Sequence, residues 1–375
     1  MEVLPGSVIG LIGLNQTNQQ LMQAAHNMGF TVALYVEKEA EAKQGEADYL
    51  MVGPDAWENF AGLATIVVYN QAWLSDRVMD KLGETNLPQG TALLDLTRDY
   101  ALSRGFFEEN AINIVPYKLA STLDEVALAA GSLGYPVAVK SIFKTNPTPK
   151  QYVIQGAYEI GLVAPLIDGG QLIVENWLEH AQPLMVSAVR DIRGNLVQYP
   201  LVEMRAHPTQ QWNLATEVDE EMRVTIQEAV TDLANKINYV GGFDVQFLAT
   251  PEGNLYVDDI VPGINVGEYL SKYTSNFDLA TQTIRALTGQ ALFPIEVGNY
   301  AIYRDLSVEQ LDVLYAQWGI RPNWQMTLYP EPTRQGKVGN VVVSGEAPAE
   351  LQTQLDFSGV WQPLDAANQE VKLAQ

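Results

Sequence analysis

Residues 239–267 read YVGGFDVQFLATPEGNLYVDDIVPGINVG. Phe243, Val245 and Phe247 alternate with Asp244 and Gln246, which is the period of a strand over Phe243–Leu248. Thr250-Pro251-Glu252-Gly253-Asn254 supplies turn chemistry, because Pro sets φ and Gly and Asn tolerate positive φ. Leu255–Val261 is a second β-rich run, so the two form a hairpin. Its second strand carries Asp258 and Asp259 where a buried strand would prefer apolar residues. An acid pair there needs a cation, a hydrogen-bond network or solvent. Two readings stand at this point: a solvated strand end, or oxygen ligands for a hard cation such as Mg²⁺.

Working outward, 375 residues suggest two or three domains. Apolar residues make up 47% of the chain and charged ones 18%, which is enough apolar material for large cores. The absence of cysteine excludes disulfides, thiolate zinc sites and Cys nucleophiles. His26, His180 and His207 are the only histidines, and no two are spaced as helical neighbours, which argues against a His metal site or a Ser-His-Asp triad. A formal charge of −23 repels nucleic acid and anionic lipid, so neither is an expected partner. No apolar run approaches the ~20 residues of a membrane span, and the N-terminus lacks signal-peptide features. The expected location is the cytoplasm.

Ser7–Gly13 reads as a buried parallel strand, Asn15–Met28 as a helix stopped by Gly29, and Phe30–Val36 as the next strand. The loop Gly13-Leu14-Asn15-Gln16-Thr17-Asn18 is not a dinucleotide fingerprint, because the later glycines are missing. Tyr49–Val52 and Thr65–Tyr69 read as strands, Ala56–Leu63 and Trp73–Gly83 as helices, and Thr91–Asp95 as a strand or a helix start. Arg98–Glu109 and Asp124–Leu133 read as helices, the latter with Thr122 as N-cap and Glu125 in the capping-box position. Lys140 ends the apolar strand Val137–Lys140, either as a snorkelling edge residue or as a phosphate ligand. Leu172–Leu178 is a strand carrying Glu175, Leu184–Arg190 and Leu196–Leu201 form a hairpin, and Asp219–Asn238 and Phe277–Leu287 are helices. Tyr300–Gln375 is rich in strand and turn signals.

This order of elements resembles the ATP-grasp superfamily, and within it the 5-(carboxyamino)imidazole ribonucleotide synthetases of purine biosynthesis. The anchors are Gly134-Tyr135-Pro136 with Lys140, Val174-Glu175-Asn176-Trp177-Leu178 and Tyr199-Pro200-Leu201-Val202-Glu203. Tyr239-Val240-Gly241, Thr274-Ser275-Asn276-Phe277 and Lys337-Val338-Gly339-Asn340 add to them. The resemblance implies an α/β and α+β chain divided into a Rossmann-like domain (1–95), a lid region (96–172), an ATP-grasp core (173–298) and a small β-rich C-terminal domain (299–375). It also implies ATP and Mg²⁺ as cofactors, carboxylation of aminoimidazole ribonucleotide by bicarbonate, and a homodimer. Carried over by position, Lys140, Lys150, Glu175 and Leu178 face ATP. Gln246, Asp258 and Asp259 fall at the metal positions, and Gly13, Gln16, Tyr69 and Lys337 at the substrate positions.

Many family groups are nevertheless replaced. The family's glycine-rich lid loop offers backbone N–H groups to phosphates; here Lys144-Thr145-Asn146-Pro147-Thr148-Pro149-Lys150 holds two prolines and no glycine. Pro183 replaces a ribose-binding acid, Gln246 and Asp259 replace two metal-binding glutamates, and Asp258 replaces an asparagine. Gly263 replaces an arginine near the reacting carboxyphosphate, and Asn70 and Ala72 replace two acids after Tyr69. Tyr329-Pro330-Glu331 and Gly336-Lys337-Val338-Gly339-Asn340 also depart from the family's residues. Charged ligands are lost together while packing positions persist, which predicts weak or absent synthetase activity. The alternatives are a non-catalytic paralogue that binds a nucleotide, a purine intermediate or a protein partner, and an ATP-grasp ligase with another substrate.

Overall fold

The computed structural model describes residues 2–38, 47–144, 151–207, 209–214, 218–329, 333 and 336–361. The expected Lys150 contact lies outside them.

Short apolar runs near the N-terminus form a parallel sheet of β1 (Val8–Ile12), β2 (Thr31–Val36), β3 (Tyr49–Val52) and β4 (Ile66–Tyr69), in the order β3-β2-β1-β4. Strands that bury both faces need no polar alternation, which is why β1, β2 and β4 are almost continuously apolar, whereas the edge strand β3 leaves Tyr49 and Leu50 exposed. The helix Trp57–Leu63 lies directly against β1. A Cβ on Gly10 would come within 2.7 Å of the Ala64 Cβ and 2.9 Å of the Phe60 ring, so only glycine permits this approach. Tyr35, Trp57 and Phe60 pack with ring centroids 5.0–5.5 Å apart behind it. Ala92–Thr97 is a helix, which resolves the ambiguity at Thr91–Asp95.

A second sheet comprises β5 (Tyr117–Ala120), β6 (Val137–Ser141), β7 (Tyr152–Ile154) and β8 (Leu172–Asn176), in the antiparallel order β5-β8-β6-β7. The helix Leu123–Leu133 covers one face, meeting Val137, Val139, Leu172 and Val174 in a common core. Thr122 Oγ1 accepts from Glu125 N at 3.2 Å, as the capping sequence predicts. Alternation then places Ala138, Lys140 and Glu175 on the opposite face, with Ala138 registered against Glu175. Because β6 lies inside the sheet, the reading of Lys140 as an edge residue is corrected.

The third sheet holds β9 (Gln182–Arg190), β10 (Leu196–Gln198), β11 (Val202–His207), β12 (Thr209–Leu214), β13 (Gly241–Ala249) and β14 (Leu255–Pro262). It continues through β15 (Tyr300–Ser307), β17 (Lys337–Gly345) and β16 (Trp324–Leu328), in the order β14-β13-β9-β11-β12-β15-β17-β16, with β10 on β9. The C-terminal strands thus extend the sheet that carries the hairpin. Two helices follow the hairpin, Val266–Thr274 and Leu279–Thr288. The first was not expected, and the second starts later than Phe277 because Asp278 caps it, accepting from Thr281 N at 2.6 Å. Among the described residues, no helix is long and apolar enough to cross a membrane.

Candidate functional site

The hairpin β13–β14 reaches the site through a bulge. Gln246 registers with Asp259 and Phe247 with Val257, so Asp258 has no counterpart across the ladder. A regular strand would send two successive carboxylates to opposite faces. Here both meet cations, and the carbonyl of Asp258 is left for a side chain.

That side chain is Arg104, on the helix Tyr100–Glu109. The buried positions of this helix are Ser103, Arg104 and Phe107, so an arginine occupies its apolar stripe. Arg104 is 1% exposed. It donates to the Asp258 carbonyl at 2.5 Å, to Glu175 Oε1 through Nε at 2.8 Å, and more loosely to Asp258 Oδ1 at 3.5 Å. Lys140 Nζ reaches the other Glu175 oxygen at 2.8 Å. Lys144 Nζ contacts both oxygens of Asp259 at 2.6 Å. The ammoniums of Lys140 and Lys144 also lie 4.1 and 4.4 Å from the ring centroid of Tyr100, within cation–π range.

These contacts set the charge states. Burial alone would raise the Glu175 carboxyl, but Lys140 and Arg104 outweigh it and hold it at about 2. Burial would lower the Lys140 ammonium, but Glu175, Tyr100 and Asp258 together raise it above its ordinary value. Asp258 is raised, because burial, with the neighbouring charges of Glu175 and Asp259, outweighs the pull of Lys140 and Arg104. Burial likewise pushes the Tyr100 phenol to about 12. The formal charges of Arg104, Lys140 and Lys144 cancel those of Glu175, Asp258 and Asp259.

Beside this cluster is a cavity of about 440 Å³, within the rough 300–1,000 Å³ range of small-molecule sites. Its walls include Ala138, Lys140, Trp177, Leu178, Leu248 and Asp258. One side is thus the lid sheet and the other the hairpin. The segment after β8 carries backbone polar groups past the apolar walls: Trp177 N donates to Pro136 O at 3.0 Å, whereas Leu178 N meets no backbone acceptor among the described residues.

Of the expected ligands, Lys140, Glu175, Leu178 and Asp258 line this cavity, and Gln246 and Asp259 face each other on the hairpin beside it. Gly13, Gln16, Tyr69 and Lys337 lie elsewhere. Tyr69 is buried, its hydroxyl donating to Gly90 O at 3.0 Å, and Lys337 Nζ pairs with Asp305 Oδ2 at 2.6 Å. Gly13 adjoins the Gln71 side chain, and Gln16 is half-buried in the same loop. Around that loop, Asn70 Oδ1 accepts from Ile264 N at 2.6 Å, and its amide donates to Thr17 Oγ1 and Asn18 Oδ1 at 3.0 and 2.7 Å. Arg104, Lys144 and Tyr100 were not among the expected residues. An arginine at a buried helix position is the one signal that pointed to such a cluster.

A divalent cation does not fit this donor set. Both Asp259 oxygens are held by an ammonium, Gln246 brings no charge, and Asp258 shares Arg104. Among the described residues, no group of three or more His, Asp or Glu side chains could hold a metal.

Further along β13, Asp244 is buried and accepts from Ser187 Oγ at 2.6 Å and Asn265 Nδ2 at 2.8 Å. Burial raises its carboxyl from 3.8 to about 6 against those two bonds. The folded chain therefore holds this proton more tightly than the unfolded one. Its contribution to stability is full below 3.8 and lost as pH rises to about 6. Asp244→Asn is expected to flatten this limb, worth on the order of 2–3 kcal/mol, in urea unfolding series recorded across that window.

Residues 105–277 match the ATP-grasp domain family model. The N5-carboxyaminoimidazole ribonucleotide synthase of Staphylococcus saprophyticus is 24% identical over 350 residues, spanning 90% of this chain and 93% of that protein. Among solved structures, an ADP complex of N5-carboxyaminoimidazole ribonucleotide synthetase superposes with a TM-score of 0.89 at 19% identity, covering 96% of this chain and 98% of that one. The Staphylococcus aureus N5-carboxyaminoimidazole synthetase complexed with ADP gives 0.87 at 22% identity, over 96% and 98%. Fold and matched span together give this chain an ATP-grasp fold. Within that fold its sequence is similar, over nine tenths of its length, to the N5-carboxyaminoimidazole ribonucleotide synthases.

Proposed function

We propose that this chain binds an adenine nucleotide in the cleft between the lid sheet and the hairpin, and that its capacity to carboxylate aminoimidazole ribonucleotide is weak or absent. One observation carries the reading. The cavity has apolar walls and Lys140, while Glu175, Asp258 and Asp259 in and beside it are each already paired with a cation of this chain. Phosphoryl transfer relies on positioning and on cations placed where charge develops. Cations bound to internal acids must first be released from them.

A second reading is favoured by the likeness over nine tenths of the chain to proteins named N5-carboxyaminoimidazole ribonucleotide synthase: an ATP-dependent ligase that carboxylates aminoimidazole ribonucleotide with bicarbonate. Calorimetric titration with ADP and a phosphate-release assay with ATP, bicarbonate and aminoimidazole ribonucleotide separate the two. The expected result is saturable ADP binding with phosphate release that the ribonucleotide does not stimulate. Stimulated release would establish the second reading, and no ADP binding at millimolar concentration would discard the first.

A further inference from the structure

Resting on that nucleotide reading, we propose that Lys144 supplies in this chain the positive charge that a divalent cation would bring, so that an adenine nucleotide binds here without metal. An ammonium and a metal ion compete for the same carboxylate oxygens. Lys144 Nζ already takes both oxygens of Asp259 at 2.6 Å and sits 4.4 Å from the Tyr100 ring centroid. Its side chain is 14% exposed, so the contact is partly shielded from water and salt. A metal at Asp259 would have to expel an ammonium held by a carboxylate and an aromatic face. It would gain only the neutral Gln246 from the strand opposite.

The same lysine is equipped for phosphate. An ammonium carries three N–H donors, and its two contacts with Asp259 leave one for an anion. Lys140, over the same ring at 4.1 Å, faces the cavity. Of the two ammoniums gathered by Tyr100, Lys140 lines the cavity and Lys144 lies beyond it over the same ring, so a nucleotide seated against Trp177 and Leu178 would meet Lys140 first and reach Lys144 with its outer phosphate. With the cluster's formal charges cancelled, a diphosphate is the better match than a triphosphate, whose extra charge meets no further cation.

The test is calorimetric titration of the full chain with ADP and with ATP, in EDTA and in millimolar Mg²⁺, beside Mn²⁺ binding followed by electron paramagnetic resonance. The expected ADP affinities in EDTA and Mg²⁺ agree within about threefold, ATP binds no tighter than ADP, and Mn²⁺ alone does not bind. Lys144→Met is expected to weaken ADP binding in EDTA by roughly tenfold, the worth of one charge-assisted contact, and to expose Asp259 to Mn²⁺. Lys144→Arg keeps the charge and is expected to keep metal-free binding, which guards against a folding defect in Lys144→Met. ADP binding that requires Mg²⁺ in the unaltered chain, or Lys144→Met binding ADP as well as the parent in EDTA, overturns the proposal while leaving the nucleotide reading intact. No ADP binding in either condition overturns both.

Discussion

Replacing Glu175 with glutamine is expected to lower the unfolding free energy by about 3–5 kcal/mol at neutral pH, the range for removing one member of a buried ion pair. Glu175 and Arg104 have side chains only 7% and 1% exposed, and Lys140 only 12%. Glutamine is close to isosteric, so little packing is lost. What remains is two buried cations, with only Asp258 near both. The pH dependence follows from the same geometry. The Glu175 carboxyl is held at about 2, below its ordinary 4.5. A depressed carboxylate stabilises above its unfolded value, and that contribution is lost as pH falls from 4.5 toward 2. Urea unfolding of the parent should show a steep acid limb in that window, and Glu175→Gln should flatten it. This window overlaps the one in which Asp244 acts with the opposite sign only between 3.8 and 4.5, so the two can be separated outside that overlap. A loss under about 1 kcal/mol would mean that the pair is hydrated in solution and contributes as a surface pair does.

Much of the fold could be read in the sequence because its strands announce themselves by period. Val245 and Phe247 alternate with Gln246, and the runs in β1, β2 and β4 are continuously apolar, as strands covered on both faces must be. The helix Val266–Thr274 was hidden by Gly267 and by the β-branched Val266 at its start. It holds through burial of Tyr269 and Leu270 rather than through propensity. At the site, Lys140 and Glu175 were legible as residue types but not as partners. Thirty-odd residues separate them, and only the pairing of β6 with β8 brings them together. Arg104 lies 71 residues from Glu175, and Asp258 joins them through a one-residue bulge that leaves no trace in a hydrophobic pattern. The departures from the residues that the resemblance implies were readable position by position. The pairing of Lys144 with Asp259 was not, because the two lie 115 residues apart and Lys144 sits in a loop with no periodic signal.

Gly263→Ala is expected to destabilise the chain by about 2–4 kcal/mol, through strain and overpacking together. Gly263 has φ +88°, and an added Cβ would stand 2.5 Å from Asn70 Oδ1 and 2.9 and 3.0 Å from the Asn70 main chain. The main-chain contacts matter most, since backbone cannot rotate aside as a side chain can. Asn70 in turn is 2% exposed and ties the loop after β1 to the segment after β14, through Thr17, Asn18 and Ile264. Asn70→Ala leaves the buried Ile264 N–H without its acceptor, at about 1–3 kcal/mol. Both substitutions break one shared contact, so their effects should not add: the double variant is expected to fall short of the sum by about 1 kcal/mol or more. Urea unfolding of the four members of this cycle measures that coupling. The consequence for function is local. Asn15, Thr17 and Asn18 occupy the loop where a substrate was expected, and their polar groups are engaged by Asn70 and the backbone. A ligand entering there must break these bonds, so Asn70→Ala should speed amide hydrogen exchange at residues 13–18 while the lid sheet stays protected. Additive costs together with unchanged exchange at the loop would show that Asn70 merely fills space.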